Sequence, residues 1–282
     1  MKDRYVADAW IKFLADRFRS KIDPKEYFLS YSGGKDSHFL YWFIKKYEFP
    51  IEIVGVNTSF ELPEIRDRII KNSDTVLFPA KKREEIKTEY GIPCFSKQQD
   101  EFIYRYQNGS RSENTMRFIN GENPIFKLNN TARELLLTDS LHKVSNKCCY
   151  WNKEKPMMDY AKKIGKKPII GVRQSESKTR MAKYNTCLHK SGNFTPIYDF
   201  SDALMDLIYE VYEIEVPKCY NYLERTGCAG CPYGYNCEKE LSLIPDAQRK
   251  HTIAFFKESY DVKGINYNDI QLTLDLRKGE NQ

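Results

Sequence analysis

Apolar and polar positions along the chain change period several times, and each change marks an element. Residues 5–19 carry apolar positions interrupted by charge and read as an amphipathic helix. The run 27–31, Tyr-Phe-Leu-Ser-Tyr, has the length and composition of a buried strand. Apolar residues then fall at 39, 40, 43, 44 and 47, the spacing of one helix face, so 36–47 is predicted helical. A strand at 51–57, a helix at 62–72 opened by Pro63, a short strand at 75–78 and a helix near 82–90 follow. Alternation of this kind predicts an α/β fold, a doubly wound and mostly parallel sheet.

From 91 to 128 the pattern loses its period. Gln107-Asn108-Gly109-Ser110 and Asn120-Gly121-Glu122-Asn123-Pro124 are turn signals, and the stretch reads as a lid or a substrate-recognition insertion. Its aromatics Phe102, Tyr104, Tyr106 and Phe118 suit either a core or a stacking surface for a base. Helices near 129–141 and 156–164, a strand at 168–172, and helices at 201–213 and near 246–260 complete the pattern. The expected division is an N-terminal helix at 1–24, an α/β domain at 25–200 and a small C-terminal helical, cysteine-rich region at 201–282.

Composition changes this picture in two respects. No apolar run is long enough to cross a bilayer and the N-terminus lacks a secretory pattern, so the cytoplasm is the expected location and no membrane is an expected partner. Cysteines there are metal ligands or reactive thiols more often than cystines. The net charge of +6 is uneven: thirteen Lys and Arg face three acids over 143–190, while acids lead eight to three over 201–240. A basic stretch beside an acidic one points to a polyanion partner, against the plainer reading of a solvated lysine face.

The first chemical candidate is Ser32-Gly33-Gly34-Lys35-Asp36-Ser37, between a strand and a helix. Two glycines bring backbone amides close to an anion, and the helix start adds the positive end of its dipole. Lys35 adds a point charge for phosphate. A Walker A loop would need a Gly six residues before the lysine and Ser or Thr after it; Leu29 and Asp36 stand there. Asn57 and Thr58 follow the second strand, where a doubly wound sheet places ligands. Gly171-Val172-Arg173-Gln174-Ser175-Glu176-Ser177-Lys178-Thr179-Arg180 follows the strand at 168–172, and its arginines suit bidentate capture of phosphate or sulfate. Glu176 is expected to orient one of them.

The second candidate is Cys219, Cys228, Cys231 and Cys237, spaced C-x8-C-x2-C-x5-C. Four thiolates over so short a stretch suit tetrahedral Zn²⁺ or a [4Fe–4S] cluster, and spacing does not choose between them. Cys148-Cys149 is an adjacent pair among lysines, which favour thiolate, so one of the two is a candidate nucleophile or persulfide carrier. A pair of buried structural thiols is the plain alternative.

The glycine turn resembles the pyrophosphate-binding PP-loop, S-G-G-x-D-S, of the N-type ATP pyrophosphatases and the PAPS reductase family. Residues 57–64 resemble that family's D-T-G-x-x-F-P-E-T segment, with Asn57 and Ser59 replacing Asp and Gly. Residues 171–180 resemble its G-x-R-x-x-E-S-x-x-R element. The cysteine spacing is similar to that of the ATP-pyrophosphatase component of bacterial DNA-phosphorothioation systems.

The resemblance implies an adenine nucleotide alpha-hydrolase-like fold and ATP with Mg²⁺ as cofactor. It implies phosphate contacts by Ser32, Gly33, Gly34, Lys35, Asp36, Ser37, Asn57, Thr58, Arg173, Glu176, Ser177 and Arg180. A [4Fe–4S] cluster on the four spaced cysteines is implied, with zinc as the alternative. In assimilatory adenylyl-sulfate reductases a Cys-Cys pair and a distant C-x2-C hold that cluster, and Cys148-Cys149 with Cys228 and Cys231 matches this second scheme. Residues 272–282 lack the reductases' E-C-G-x-H tail.

The expected activity is ATP pyrophosphatase chemistry that adenylates an acceptor and supports sulfur transfer. Lys35, Asp36, Cys148 and Cys149 are the catalytic candidates, with DNA or RNA and a sulfur-donor protein as further partners. The alternatives are reduction of an adenylyl sulfate and a zinc-knuckle, nucleic-acid-binding subunit with a non-catalytic pocket.

Overall fold

The computed structural model describes residues 2–123, 127–176, 180–181, 184–268 and 270. In chain order its elements are α1 (Lys2–Lys21), β1 (Tyr27–Tyr31), α2 (Lys35–Lys46), β2 (Glu52–Val56), α3 (Pro63–Asn72) and β3 (Thr75–Leu77). Then come α4 (Arg83–Tyr90), α5 (Lys97–Gln107), α6 (Glu113–Ile119), α7 (Asn130–Leu137), α8 (Lys147–Cys149), a π-helical turn (Tyr150–Glu154), α9 (Lys155–Ile164) and β4 (Lys167–Ile170). The last are α10 (Asp202–Val211), α11 (Cys237–Ser242) and α12 (Asp246–Lys263).

The four strands form one parallel sheet in the order β3-β2-β1-β4, flanked by helices, which is the α/β doubly wound class. Leu29 lies opposite Ile53 on one side and Ile169 on the other, and all three are fully buried. Apolar side chains on both faces are what a parallel sheet covered by helices requires. The chain steps from β1 outward to β3 and then returns to the other side of β1 with β4. The strand order therefore reverses between β1 and β4, and crevices beyond the carboxyl ends of such strands are where this architecture binds ligands.

The chain forms two compact units. The first comprises residues 1–59, 63–78 and 156–226, so the chain passes through residue 200 within it. Its core joins the sheet to Phe18, Phe39, Phe43, Phe194 and Phe200, all essentially without exposure. Arg17 ties α1 into this unit with a two-pronged bond to Asp199, 2.7 Å for each prong. The second unit comprises residues 60–62, 79–155 and 227–282 and is helical. One core within it gathers Cys94, Ile103, Phe118, Ile119, Ala132 and Val144.

The stretch 91–128 is more regular than its pattern suggests: it holds α5 and α6. Its turn signals are helix ends, with Asn108 and Asn120 as C-caps. Phe118 is fully buried and Phe102 stacks on it at 4.2 Å, so these two rings serve the core and are not free to stack on a base. The helix expected over 129–141 stops at Leu137, and Asp139 takes a left-handed φ of 55° two residues later. Residues 147–164, expected to be only partly helical, run as one helical stretch through the π-helical turn.

Candidate functional site

The glycine turn opens where β1 ends. Gly33 has φ 73°, and a Cβ there would lie 2.8 Å from the Ile65 carbonyl oxygen, so this position admits only glycine. Gly34 is the N-cap of α2 and has no side chain to cap the helix, which leaves its first amides for other acceptors. Ser37 Oγ donates to the Gly34 carbonyl at 3.0 Å and accepts from Ser32 N at 3.2 Å. The two serines thus fold the turn while lining the cleft above it.

That cleft has a volume of about 550 Å³ and lies wholly in the first unit. The β4 end contributes Gly171, where a Cβ would stand 3.0 Å from Ser37 N, so this loop meets the first turn of α2 backbone to backbone. Arg173 follows, 7% exposed. Its Nε donates to Asp36 Oδ1 at 2.9 Å and its Nη1 to Asp202 Oδ1 at 2.5 Å. Burial pushes the Asp36 carboxyl up, against the opposing pull of Arg173. Burial alone would lower the Arg173 guanidinium, but Asp36 and Asp202 outweigh it and hold it up.

Lys35 Nζ reaches Asp206 Oδ1 at 2.5 Å. Glu176 accepts from Arg173 N at 3.1 Å and from Arg180, and its carbonyl accepts from Arg225. Burial, then the neighbouring charge of Arg225, lowers Arg180. Both guanidiniums line the cleft, where an anion would relieve their mutual repulsion.

The structure thus gathers Ser32, Gly34, Lys35, Asp36, Ser37, Arg173, Glu176 and Arg180 around one cleft, with Gly33 shaping its turn. Asn57 and Thr58 are outside its lining. Asn57 Oδ1 instead accepts from Ser59 N at 3.0 Å, closing a turn in which Ser59 has φ 61°. Ser177 lies outside the described residues. Sequence reasoning missed Asp202, Asp206, Tyr220, Arg225 and Thr226. The two acids stand one helical turn apart at the start of an apolar-faced helix, a signal available in the sequence. Tyr220 lies on a short 3₁₀ turn and Arg225 in a loop, and neither carries a periodic signal.

The cysteines are distributed between the units. Cys219 is in the first, buried, with its amide on Glu64 Oε2 at 3.0 Å; burial and then Glu64 push its thiol up to about 11. The other three of the spaced set are in the second unit. Cys237 Sγ donates to the Gly230 carbonyl at 3.1 Å, and burial pushes it up to about 12. Cys228 and Cys231 instead lie within electrostatic reach of Cys148, Cys149 and each other. Burial, followed by the charge of the neighbouring cysteines, holds Cys148 and Cys231 up.

Two cations face the group. Lys153 bonds Cys228 and lies 3.3 Å from Glu61, and these contacts raise it against burial. Arg83 feels both Cys228 and Cys148 and stacks 3.8 Å over Phe60. Cys148 Sγ accepts from Asn152 Nδ2 at 3.2 Å across the π-helical turn. Among the described residues no group of three or more His, Cys, Asp and Glu side chains is disposed to hold a metal ion.

Among known proteins, no family model and no curated protein matches this chain. Among solved structures, the crystal structure of phosphoadenylyl-sulfate (PAPS) reductase from Candida auris, a phosphate complex, is similar at 12% identity and a TM-score of 0.39. The match covers 76% of this chain and 89% of that one. No described helix is long and apolar enough to cross a membrane.

Proposed function

We propose that the chain is an enzyme that binds the phosphate tail of an adenine nucleotide in the first unit's cleft. It releases pyrophosphate while adenylating an acceptor, in support of sulfur transfer. The observation that carries this reading is the convergence of Lys35, Arg173, Arg180 and Arg225 on a helix start whose N-cap is a glycine, at the β1–β4 switch point.

In this reading the acceptor oxygen attacks the α-phosphorus. The bond from that phosphorus to the bridging oxygen breaks, and pyrophosphate leaves with the electron pair. The amides at the start of α2 and the Lys35 ammonium receive the charge that develops on the leaving group. Arg180 and Arg225 clamp the outer phosphate oxygens. Asp36 orients Arg173 and, with water, suits the Mg²⁺ that accompanies ATP, which would neutralise phosphate charge. The basic stretch 143–190 suits a DNA or RNA backbone as acceptor, with a sulfur-donor protein as a further partner.

Cys148, Cys149, Cys228 and Cys231 would hold a [4Fe–4S] cluster in the second unit. Their mutual reach, with Lys153 and Arg83 facing them, fits the charge of such a thiolate set. The cluster would supply electron-transfer or sulfur chemistry. Cys219 and Cys237, in their own hydrogen-bonded settings, are then structural.

The grouping of a Cys-Cys pair with C-x2-C favours one second reading, reduction of an adenylyl sulfate. A pyrophosphate-release assay with MgATP, with and without DNA or RNA, separates the two. The first reading expects release, lowered about a hundredfold by Lys35→Ala. Release that survives this substitution removes the loop's assigned role, and binding of an adenylyl sulfate without any release supports the second reading.

A further inference from the structure

We propose that Tyr220 is the cleft's own stand-in for a phosphate oxygen, its hydroxyl seated on the Lys35 amide until an anion displaces it. The inference rests on the phosphate-binding reading of the cleft and deepens it: one donor serves the hydroxyl and the anion in turn.

Lys35 is the first residue of α2, and its N–H is one of the orphan donors of a helix start. An anion at the turn would occupy that donor. Here it donates to the Tyr220 hydroxyl at 2.9 Å. The hydroxyl oxygen accepts, as a phosphate oxygen would, and makes a second hydrogen bond with Thr226 Oγ1 at 3.0 Å. Both residues line the cleft.

The tyrosine is delivered to this position by an anchor of its own. It sits on a 3₁₀ turn, Lys218–Asn221, whose first two amides both end on the Glu64 carboxylate, at 2.7 and 3.0 Å. Glu64 lies in the first turn of α3 and so fixes the backbone on which Tyr220 rides.

Two acids of α10 take two of the cleft's other donors. Asp206 takes the Lys35 ammonium and Asp202 takes Arg173. These two acids are 64% and 69% exposed, so water replaces their contacts at little cost when they swing away. Tyr220 is the partner drawn inward, and its release is the step that opens the turn.

Binding in the natural protein therefore breaks one hydrogen bond to form another. In Tyr220→Phe the ring keeps its volume but the Lys35 amide has no partner before the anion arrives, so the anion gains a bond without loss of one. The expected result is roughly fivefold tighter binding, the net worth of one such bond.

The experiment is calorimetric titration of the full chain with inorganic pyrophosphate and with MgATP, for the natural sequence, Tyr220→Phe and Thr226→Val. Tighter binding by Tyr220→Phe, with a smaller gain in the same direction for Thr226→Val, supports the proposal. Should the ring substitution disturb folding, as circular dichroism would show, Thr226→Val alone decides by its sign. Unchanged affinity means that the amide is not the anion's seat, and weaker binding means that the hydroxyl is itself a ligand of the anion; either overturns the proposal while leaving the cleft reading intact. A natural chain that binds neither pyrophosphate nor ATP overturns both.

Discussion

Two carboxylates taken out of water, Asp36 and Asp100, are settled in different ways. Asp36 has the Arg173 guanidinium against it, so its charge is matched by a charge. Asp100 is fully buried and meets dipoles: it accepts from Cys94 N at 2.7 Å, Phe95 N at 3.0 Å and the Tyr233 hydroxyl at 2.7 Å. Dipoles compensate less than a cation, and burial leaves its carboxyl raised to about 6. An acid raised on folding binds more protons folded than unfolded, so its share of stability is present below its ordinary pKa and is lost as pH rises towards 6. His38 and His142, both lowered to about 4 by burial, act in the opposite sense over nearly the same window. The natural profile is the sum of these, and Asp100→Asn isolates one contribution. Relative to the natural chain, the variant is expected to gain stability between pH 4 and pH 6 on the order of 1–3 kcal/mol, offset by a constant penalty for its mispaired amide. Denaturant unfolding at three pH values checks this; two parallel profiles would refute the assignment of Asp100.

At the scale of elements, the helical core of the second unit hangs on the stack of Phe102 on Phe118. Phe118 has no exposed surface, and its truncation leaves a cavity as well as losing the transfer energy. Phe118→Ala is expected to cost about 3–5 kcal/mol in that unit, read as earlier loss of amide protection in α5 and α6 by hydrogen exchange. The same helices mark where sequence reading falls short. The strands β1 and β2 and the helices α2 and α3 were legible because burial imposes an unbroken apolar run or a clear 3.6 period. In α5 and α6 the buried face is narrow, with Asp100 and Thr115 among its buried positions, and Asn-Gly pairs at their ends imitate loops. The π-helical turn 150–154 was invisible for a similar reason: it shifts the phase of the helix between Cys149 and α9, and the apolar count no longer adds up. The phosphate turn was legible from six consecutive residues, whereas its partners Asp202, Tyr220 and Arg225 lie more than 160 residues away and only the fold collects them.

At the scale of the whole molecule, the two candidate chemistries fall in different units, and this makes them separable. The cleft residues all belong to the first unit, while the four mutually coupled thiols all belong to the second. Two groupings were legible in the sequence, the contiguous 219, 228, 231 and 237 by short spacing and the pair 148–149 with 228 and 231 by resemblance; in the fold Cys219 belongs to the first unit, whereas the other grouping lies within the second. The two groupings give opposite forecasts for single cysteine-to-serine variants purified without oxygen. If the coupled four hold a cluster, serine at 148, 149, 228 or 231 lowers iron and acid-labile sulfide by half or more, because loss of one thiolate exposes the cluster to exchange. Serine at 219 or 237 leaves both contents near the natural level. Lys35→Ala also leaves iron unchanged while removing affinity for ATP, since its ammonium lies in the first unit and the four thiols in the second. Iron loss confined to 219, 228, 231 and 237 would restore the contiguous set, and iron-free protein with stoichiometric zinc would remove the cluster from the second unit.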